Sequence, residues 1–308
     1  MEPAARVTQH SHRPGGGVAR IESHAMRTTP AGGSARPRMT DPSREPGREA
    51  DRRGRQAPAI PEGATIGPPD FIGVGVHKAG TTWWWALLVG HPAVDGVARR
   101  KELHLLDRMH EHPIAQEQKD WYYRQFPRLP GHLAGEWTPR YQALPRMPDV
   151  IREVAPEAKL LSIVREPVER YRSGLNQWHE ENRRRSLKRD EQSGKREARM
   201  RGFYGRQLKR LMDTVGRRQV LVLQYERCVE QPADEMARTL EFLGLEPFEP
   251  DPRLVRTRVN QTVGSKRAVP TKDEQELIEV YEPEVALLKQ LVPALDLTLW
   301  PRFAHLDR

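Results

Sequence analysis

The sequence predicts an α/β domain of three layers, with a central parallel sheet covered by helices on both faces. Two observations carry that expectation. The runs "FIGVGV" (71–76), "KLLSIV" (159–164) and "QVLVLQYE" (219–226) are apolar without alternation, the pattern of strands buried on both faces. Helical segments follow them in turn, which is the order of βαβ units.

The first helix is expected over about 82–89, behind "FIGVGV". A second follows "KLLSIV", with Pro167 suitably placed near its start. "PADEMARTLEFLGL" (232–245) reads as an amphipathic helix ending at Gly244. Residues 271–292 supply one or two more helices, with a break expected near Pro283. The stretch 183–201 is dense in Arg, Lys and Glu and is expected to be a solvated helix or a mobile loop. Residues 1–66 are rich in Arg, Pro, Gly, Ser and His, with almost no large apolar side chains. Such a segment cannot offset its ordering entropy by burial, so a disordered basic tail (1–66) is expected ahead of a folded domain (67–308).

The 308 residues carry 51 Lys and Arg against 42 Asp and Glu, a formal charge of +9. That balance favours an anionic partner without choosing one. The arginines of the tail are not interleaved with aromatic residues, so a nucleic-acid partner is not expected. The single cysteine, Cys228, excludes an internal disulfide and a cysteine-built zinc site. Its scarcity fits a reducing compartment, and no apolar run approaches the ~20 residues of a membrane helix. A cytoplasmic location without membrane insertion is expected, and oligomeric state is not legible.

Strand, glycine-bearing loop and helix at 71–89 make the layout of a phosphate cradle, in which backbone N–H groups and a helix N-terminus face an anion. The nucleoside triphosphate pattern is G-x-x-x-x-G-K-[ST]. Gly75, Gly80 and Thr82 fall on its glycines and hydroxyl, so the fold is expected to be P-loop nucleoside triphosphate hydrolase-like. Thr81 occupies the lysine position, and Lys78 stands inside the loop instead. In open parallel sheets ligands bind beyond the carboxyl ends of the strands. The second strand ends at Arg165, whose guanidinium suits a phosphate, and Ser173 follows two turns into the next helix. Taken alone, Arg165 is equally well read as a helix-end residue paired with Glu166 or Glu169.

"GVHKAGTTWW" followed by "KLLSIVREPVERYRSGLNQ" resembles the nucleotide-binding pair of the sulfotransferases that use 3′-phosphoadenylyl sulfate (PAPS). The resemblance spans about residues 68–301. It implies that Lys78, Ala79, Gly80, Thr81 and Thr82 cradle the 5′ end of the donor, while Arg165 and Ser173 take its 3′-phosphate. It also sets Lys266 and Arg267, in "NQTVGSKR", near that phosphate. "KELHLLDR" (101–108) resembles the K-E-x-H-F-F-D segment of the heparan sulfate and related carbohydrate sulfotransferases, with Leu105 and Leu106 in place of aromatics. That implies Glu102 as catalytic base and Lys101 as a contact near donor or acceptor. In an extended chain Glu102 and His104 share a face, making His104 a second proton acceptor or an orienter of Glu102. "GEWTPRY" (135–141) resembles an acceptor-lining segment, with Trp137 where lysine is usual, and "RGFYGRQL" (201–208) resembles another recurring family segment, which implies Trp137 and Tyr204 as acceptor contacts at the cleft.

The resemblance therefore implies transfer of a sulfuryl group to a hydroxyl or amine of a glycan, glycolipid or small metabolite. No metal is expected, because a sulfuryl group carries less charge than a phosphoryl group. Lys78 is expected to meet charge developing on the bridging oxygen. The alternative is a P-loop kinase or nucleotide hydrolase, with Glu226 organising Mg²⁺.

Overall fold

The computed structural model describes residues 58–95, 101–109, 113–187, 189–257 and 271–307. Its strands are β1 (Thr65–Ile66), β2 (Phe71–Gly75), β3 (Val94–Asp95), β4 (Pro127–Arg128), β5 (Leu133–Trp137), β6 (Lys159–Val164) and β7 (Val220–Gln224). Its helices are α1 (Thr81–Leu88), α2 (Gln116–Tyr123), α3 (Met147–Val154), α4 (Pro167–Arg184), α5 (Glu191–Met200) and α6 (Tyr204–Val215), then α7 (Tyr225–Glu230), α8 (Pro232–Leu243), α9 (Pro252–Arg256) and α10 (Thr271–Leu291).

Five strands form a parallel sheet in the order β3-β5-β2-β6-β7, flanked by helices. This is the three-layer α/β/α architecture with a P-loop-like core. The apolar runs of β2 and β6 form its centre: Phe71, Ile72, Val74, Leu160, Leu161 and Ile163 are all buried, as strands covered on both faces must be. Trp83, Trp84 and Trp85 turn in different directions on α1, yet all three are buried. Trp84 donates from its indole to Thr239 Oγ1 at 3.2 Å, which fastens α1 to α8.

Two strands of the sheet, β3 and β5, were not expected. β3 has two residues, and "LAGEW" mixes glycine and glutamate into β5. Gly73 explains part of that pairing. A Cβ there would lie 2.0 Å from the Trp137 ring, so the ring lies flat on a bare backbone at the register pair Gly73–Trp137. The antiparallel pair β1–β4 sits apart from the main sheet, and β1 falls within the segment expected to be tail. Of the expected tail, residues 58–66 are described and residues 1–57 lie outside the described residues.

The break expected near Pro283 is not present: α10 runs through it. Proline in a helix interior costs about 3 kcal/mol. Leu277, Val285 and Leu288 are buried on the same helix, and each fully buried apolar side chain contributes roughly 1.5–3 kcal/mol. Burial of that face outweighs the lost backbone bond. The charged stretch 183–201 is a helix in its second half, α5, started by Asp190 accepting from the N–H groups of Gln192 and Ser193. Among the described residues no helix is long and apolar enough to cross a membrane.

Candidate active site

Neighbouring parallel strands β2 and β6 deliver the two anion-facing segments to one edge of the sheet. The chain leaves β2 through Val76–Gly80 and enters α1. Lys78 and Gly80 both hold left-handed backbone, with φ 73° and 77°, which curls the loop over the helix start. Gly80 caps α1 without any side-chain cap bond, leaving the first-turn N–H groups to face an anion. Ala79 and Thr81 are buried beneath the loop, while Lys78 and Thr82 are partly exposed. A bisphosphorylated nucleotide fits such a cradle, since the uncapped helix start and the two cations of this edge match its charge.

Arg165 follows β6 directly. Its Nη1 donates to the Lys78 carbonyl at 3.2 Å, and its guanidinium lies over the Tyr225 ring, 4.9 Å from the centroid. The pairing with Glu166 or Glu169 does not form. Glu166 instead caps α4, accepting from Glu169 N–H. Burial, together with the neighbouring Arg165 charge, lowers the Lys78 ammonium pKa, against the pull of Glu181 and Glu102. Ser173 is half-buried on α4. Lys266 and Arg267 lie outside the described residues.

The ring of Tyr225 also touches the loop: a Cβ on Gly80 would fall 2.7 Å from it. Left-handed backbone costs an L-residue about 1–2 kcal/mol. Gly80→Ala is therefore expected to lower stability by at least that much and to push Tyr225 off Arg165. A urea midpoint unchanged from wild type would contradict this.

The segment 101–108 is not an extended strand. Glu102 and His104 have φ of 63° and 53°, and Glu102 N–H donates to the Trp137 carbonyl at 3.0 Å. The side chains still converge, because left-handed turns bring alternate residues together. Lys101 Nζ lies 2.7 Å from Glu102 Oε1, His104 Nε2 lies 3.8 Å from Glu102 Oε2, and His104 Nδ1 meets Asp107 Oδ2 at 3.0 Å. Asp107 and then Glu102 raise the imidazole to about 9. Interaction with His104, helped by Lys101 and opposed by burial, holds the Glu102 carboxyl at about 2. At neutral pH His104 is a cation, so of its two expected roles this geometry fits the orienter and not the second proton acceptor.

The sign of the linkage is fixed by those shifts. His104, raised in the folded state, stabilises fully below its ordinary 6.5 and loses the effect as pH climbs through about 9. Glu102, lowered, stabilises above its ordinary 4.5 and loses it as pH falls towards 2. His104→Gln is thus expected to cost most stability between those two ordinary values and least above pH 9. A urea series whose mutant–wild-type difference stays flat with pH would refute the pairing.

Behind this segment, Glu136 of β5 is completely buried. It accepts from Tyr122 at 2.8 Å, Thr138 at 2.7 Å and Tyr141 at 3.2 Å, and burial still lifts its carboxyl to about 7. Tyr141 oxygen accepts from Leu106 N–H at 3.3 Å, so the buried carboxylate braces the turn that carries Glu102 and His104.

Trp137 and Tyr204 are corrections to the expected acceptor contacts. Trp137 is wholly buried and donates to the Gly75 carbonyl at 3.2 Å, its ring lying over the bare backbone of Gly73 in the core. Tyr204 is equally buried, and its hydroxyl donates to the Arg165 carbonyl at 3.0 Å, supporting the arginine from behind. Lys101 is engaged by Glu102. The Glu226 carboxylate, the proposed Mg²⁺ organiser of a kinase, accepts from Glu166 N–H and the Trp300 indole. His77, Arg170, Arg201 and Tyr225 also belong to this edge and were not anticipated. Tyr225 was within reach of the rule that ligands sit at strand ends.

A family model described as "Sulfotransferase domain" matches residues 68–276. Heparan sulfate glucosamine 3-O-sulfotransferase 3B1 of Homo sapiens is 31% identical over 191 residues, 58% of this chain and 46% of the relative. Heparan sulfate glucosamine 3-O-sulfotransferase 6 of Homo sapiens is 31% identical over 213 residues, 65% of this chain and 60% of the relative. The chain thus spans about half the length of the curated relatives it matches. A crystal structure of a sulfotransferase from Alicyclobacillus acidocaldarius superposes with a TM-score of 0.60 at 23% identity, covering 77% of this chain and 100% of that one. The loop lysine, the strand-end arginine and a family match across most of the folded residues agree: the chain belongs to the sulfotransferase family.

Proposed function

We propose that this enzyme transfers the sulfuryl group of PAPS to a hydroxyl or amine of a glycan, glycolipid or small metabolite. The observation that supports it most is the contact of Arg165 with the Lys78 carbonyl, 3.2 Å long, which sets two cations on one cleft edge beside the uncapped start of α1. Residues 78–82 would hold the 5′ end of the donor, and Arg165 with Ser173 its 3′-phosphate. Lys266 and Arg267 are proposed to join that phosphate. Bound there, the donor supplies a sulfur–oxygen bond to its 5′-phosphate that breaks as the acceptor's new bond to sulfur forms. The Lys78 ammonium would stabilise the charge that develops on the leaving oxygen. Glu102, ionised at neutral pH, takes the acceptor proton, and the His104–Asp107 pair holds that carboxylate in place. The heparan sulfate relatives support a glycan acceptor. The single buried cysteine, Cys228, supports a reducing, cytoplasmic setting.

Calorimetry with adenosine 3′,5′-bisphosphate tests the donor site. Saturable binding without Mg²⁺ is expected, and binding only of ATP with Mg²⁺ would overturn the reading. Labelled donor offered with an acceptor panel, with product mass read for the added sulfuryl group, then identifies the acceptor.

A further inference from the structure

Arg165 lies between β6, which ends at Val164, and α4, which starts at Pro167. The peptide group that follows it, made of the Arg165 carbonyl and the Glu166 N–H, belongs to neither element. Side chains hold that group instead, one at each end. The Tyr204 hydroxyl donates to the carbonyl at 3.0 Å, and Glu226 Oε1 accepts from the N–H at 3.1 Å. A peptide group is planar, so two such bonds fix its orientation. They fix with it the backbone from which the guanidinium extends over the Tyr225 ring.

Glu226 is held in turn by a distant part of the chain. Its Oε2 accepts from the Trp300 indole at 2.8 Å, and Trp300 is completely buried. Four residues earlier, Asp296 exchanges two bonds with Gln224. The Asp296 carbonyl accepts from the Gln224 amide at 2.7 Å, and the Asp296 N–H donates to its oxygen at 3.0 Å. The segment 296–300 thus anchors the residue on each side of Tyr225, and the Glu226 carboxylate joins that segment to the start of α4.

We infer that Glu226, braced by Trp300, is a positioning residue for Arg165, which it aims at the 3′-phosphate of the donor. The inference rests on the proposed donor site and deepens it. A guanidinium already held in place gives up less freedom when a phosphate arrives. Loosening the bridge should therefore weaken the hold on the 3′-phosphate alone, because the backbone cradle at 78–82 would keep the 5′ end.

Two nucleotides that differ by one phosphate test it: adenosine 3′,5′-bisphosphate and adenosine 5′-monophosphate, each titrated into the full chain by calorimetry without Mg²⁺. The ratio of their affinities reads the 3′-phosphate contact. The unaltered chain is expected to prefer the bisphosphate, and Arg165→Met to cut that preference. In Glu226→Gln the amide nitrogen must face either the Glu166 N–H or the Trp300 indole N–H, donor against donor. That variant should lower the preference about tenfold, the order of a lost charge-assisted bond, and leave monophosphate affinity unchanged. Trp300→Phe keeps a ring in the core and removes the indole donor, so a smaller fall in the same ratio is expected. It serves if Glu226→Gln fails to fold. A preference left intact in these variants overturns the inference, as does an equal loss for both nucleotides, which would make the bridge merely structural. Equal affinity of the unaltered chain for the two nucleotides, or an Arg165→Met ratio like wild type, counts against the donor site itself and takes the inference with it.

Discussion

Glu102→Gln is expected to lower turnover by about 10²–10⁴-fold, the usual worth of a positioned general base, with nucleotide affinity nearly unchanged. The amide keeps the shape of the carboxylate but cannot accept the acceptor's proton. The partners of Glu102 make the split informative. His104 at 3.8 Å and then Lys101 at 2.7 Å hold the carboxyl at about 2, so the residue stays ionised across the working range and the wild-type rate should show no acid limb near its ordinary 4.5. Such a low value also makes a weak base, and Brønsted behaviour favours a base nearer the working pH. His104→Gln removes the larger cause of that depression and should move the acid limb of the rate profile upwards. Rates measured from pH 4 to 8 with the acceptor found in the panel decide both points. A Glu102→Gln enzyme with turnover near wild type would remove this residue from the chemistry.

Much of this arrangement was legible in the sequence because it rests on local rules. The buried strands β2 and β6 announce themselves by unbroken apolar runs, and the loop between β2 and α1 by its glycines and Lys78. What stayed hidden depends on long-range contact. β5 reads poorly because Gly135 and Glu136 break its pattern, and both make sense only once Tyr122, Tyr141 and Phe71 are packed around them. The same holds for Trp137, whose aromatic ring suggests a ligand platform until Gly73 supplies a bare surface for it in the core. Pro283 was read as a breaker by a local rule that burial overrides. The left-handed backbone of Glu102 carries no sequence signal, and histidine at 104, though enriched in that region, adopts it too seldom to announce it. Arg170 carries no motif of its own, and only its complete burial sets it apart.

Lys78→Ala is expected to reduce turnover about a hundredfold or more, since losing one well-placed donor to developing charge costs about 2.7–4 kcal/mol of transition-state stabilisation. Nucleotide binding should weaken less. The backbone cradle and the uncapped start of α1 persist without the side chain, and Arg165 keeps its contact because it uses the Lys78 carbonyl and not the ammonium. Geometry favours alanine no more than lysine at φ 73°, so the substitution adds little new backbone strain. Burial already lowers the ammonium pKa, with Arg165 pressing the same way, so the wild-type site holds a partly desolvated cation that gains most when negative charge appears beside it. Lys78→Arg tests position against charge. The guanidinium retains the charge but spreads it over a longer, planar fork, so partial recovery with slow turnover is the expected result. Rapid-mix single-turnover measurements with labelled donor separate the chemical step from release, and calorimetry gives the nucleotide affinity. If Lys78→Ala lost nucleotide affinity and turnover by the same factor, the ammonium would be acting on the bound ground state, and the charge on the leaving oxygen would need another partner.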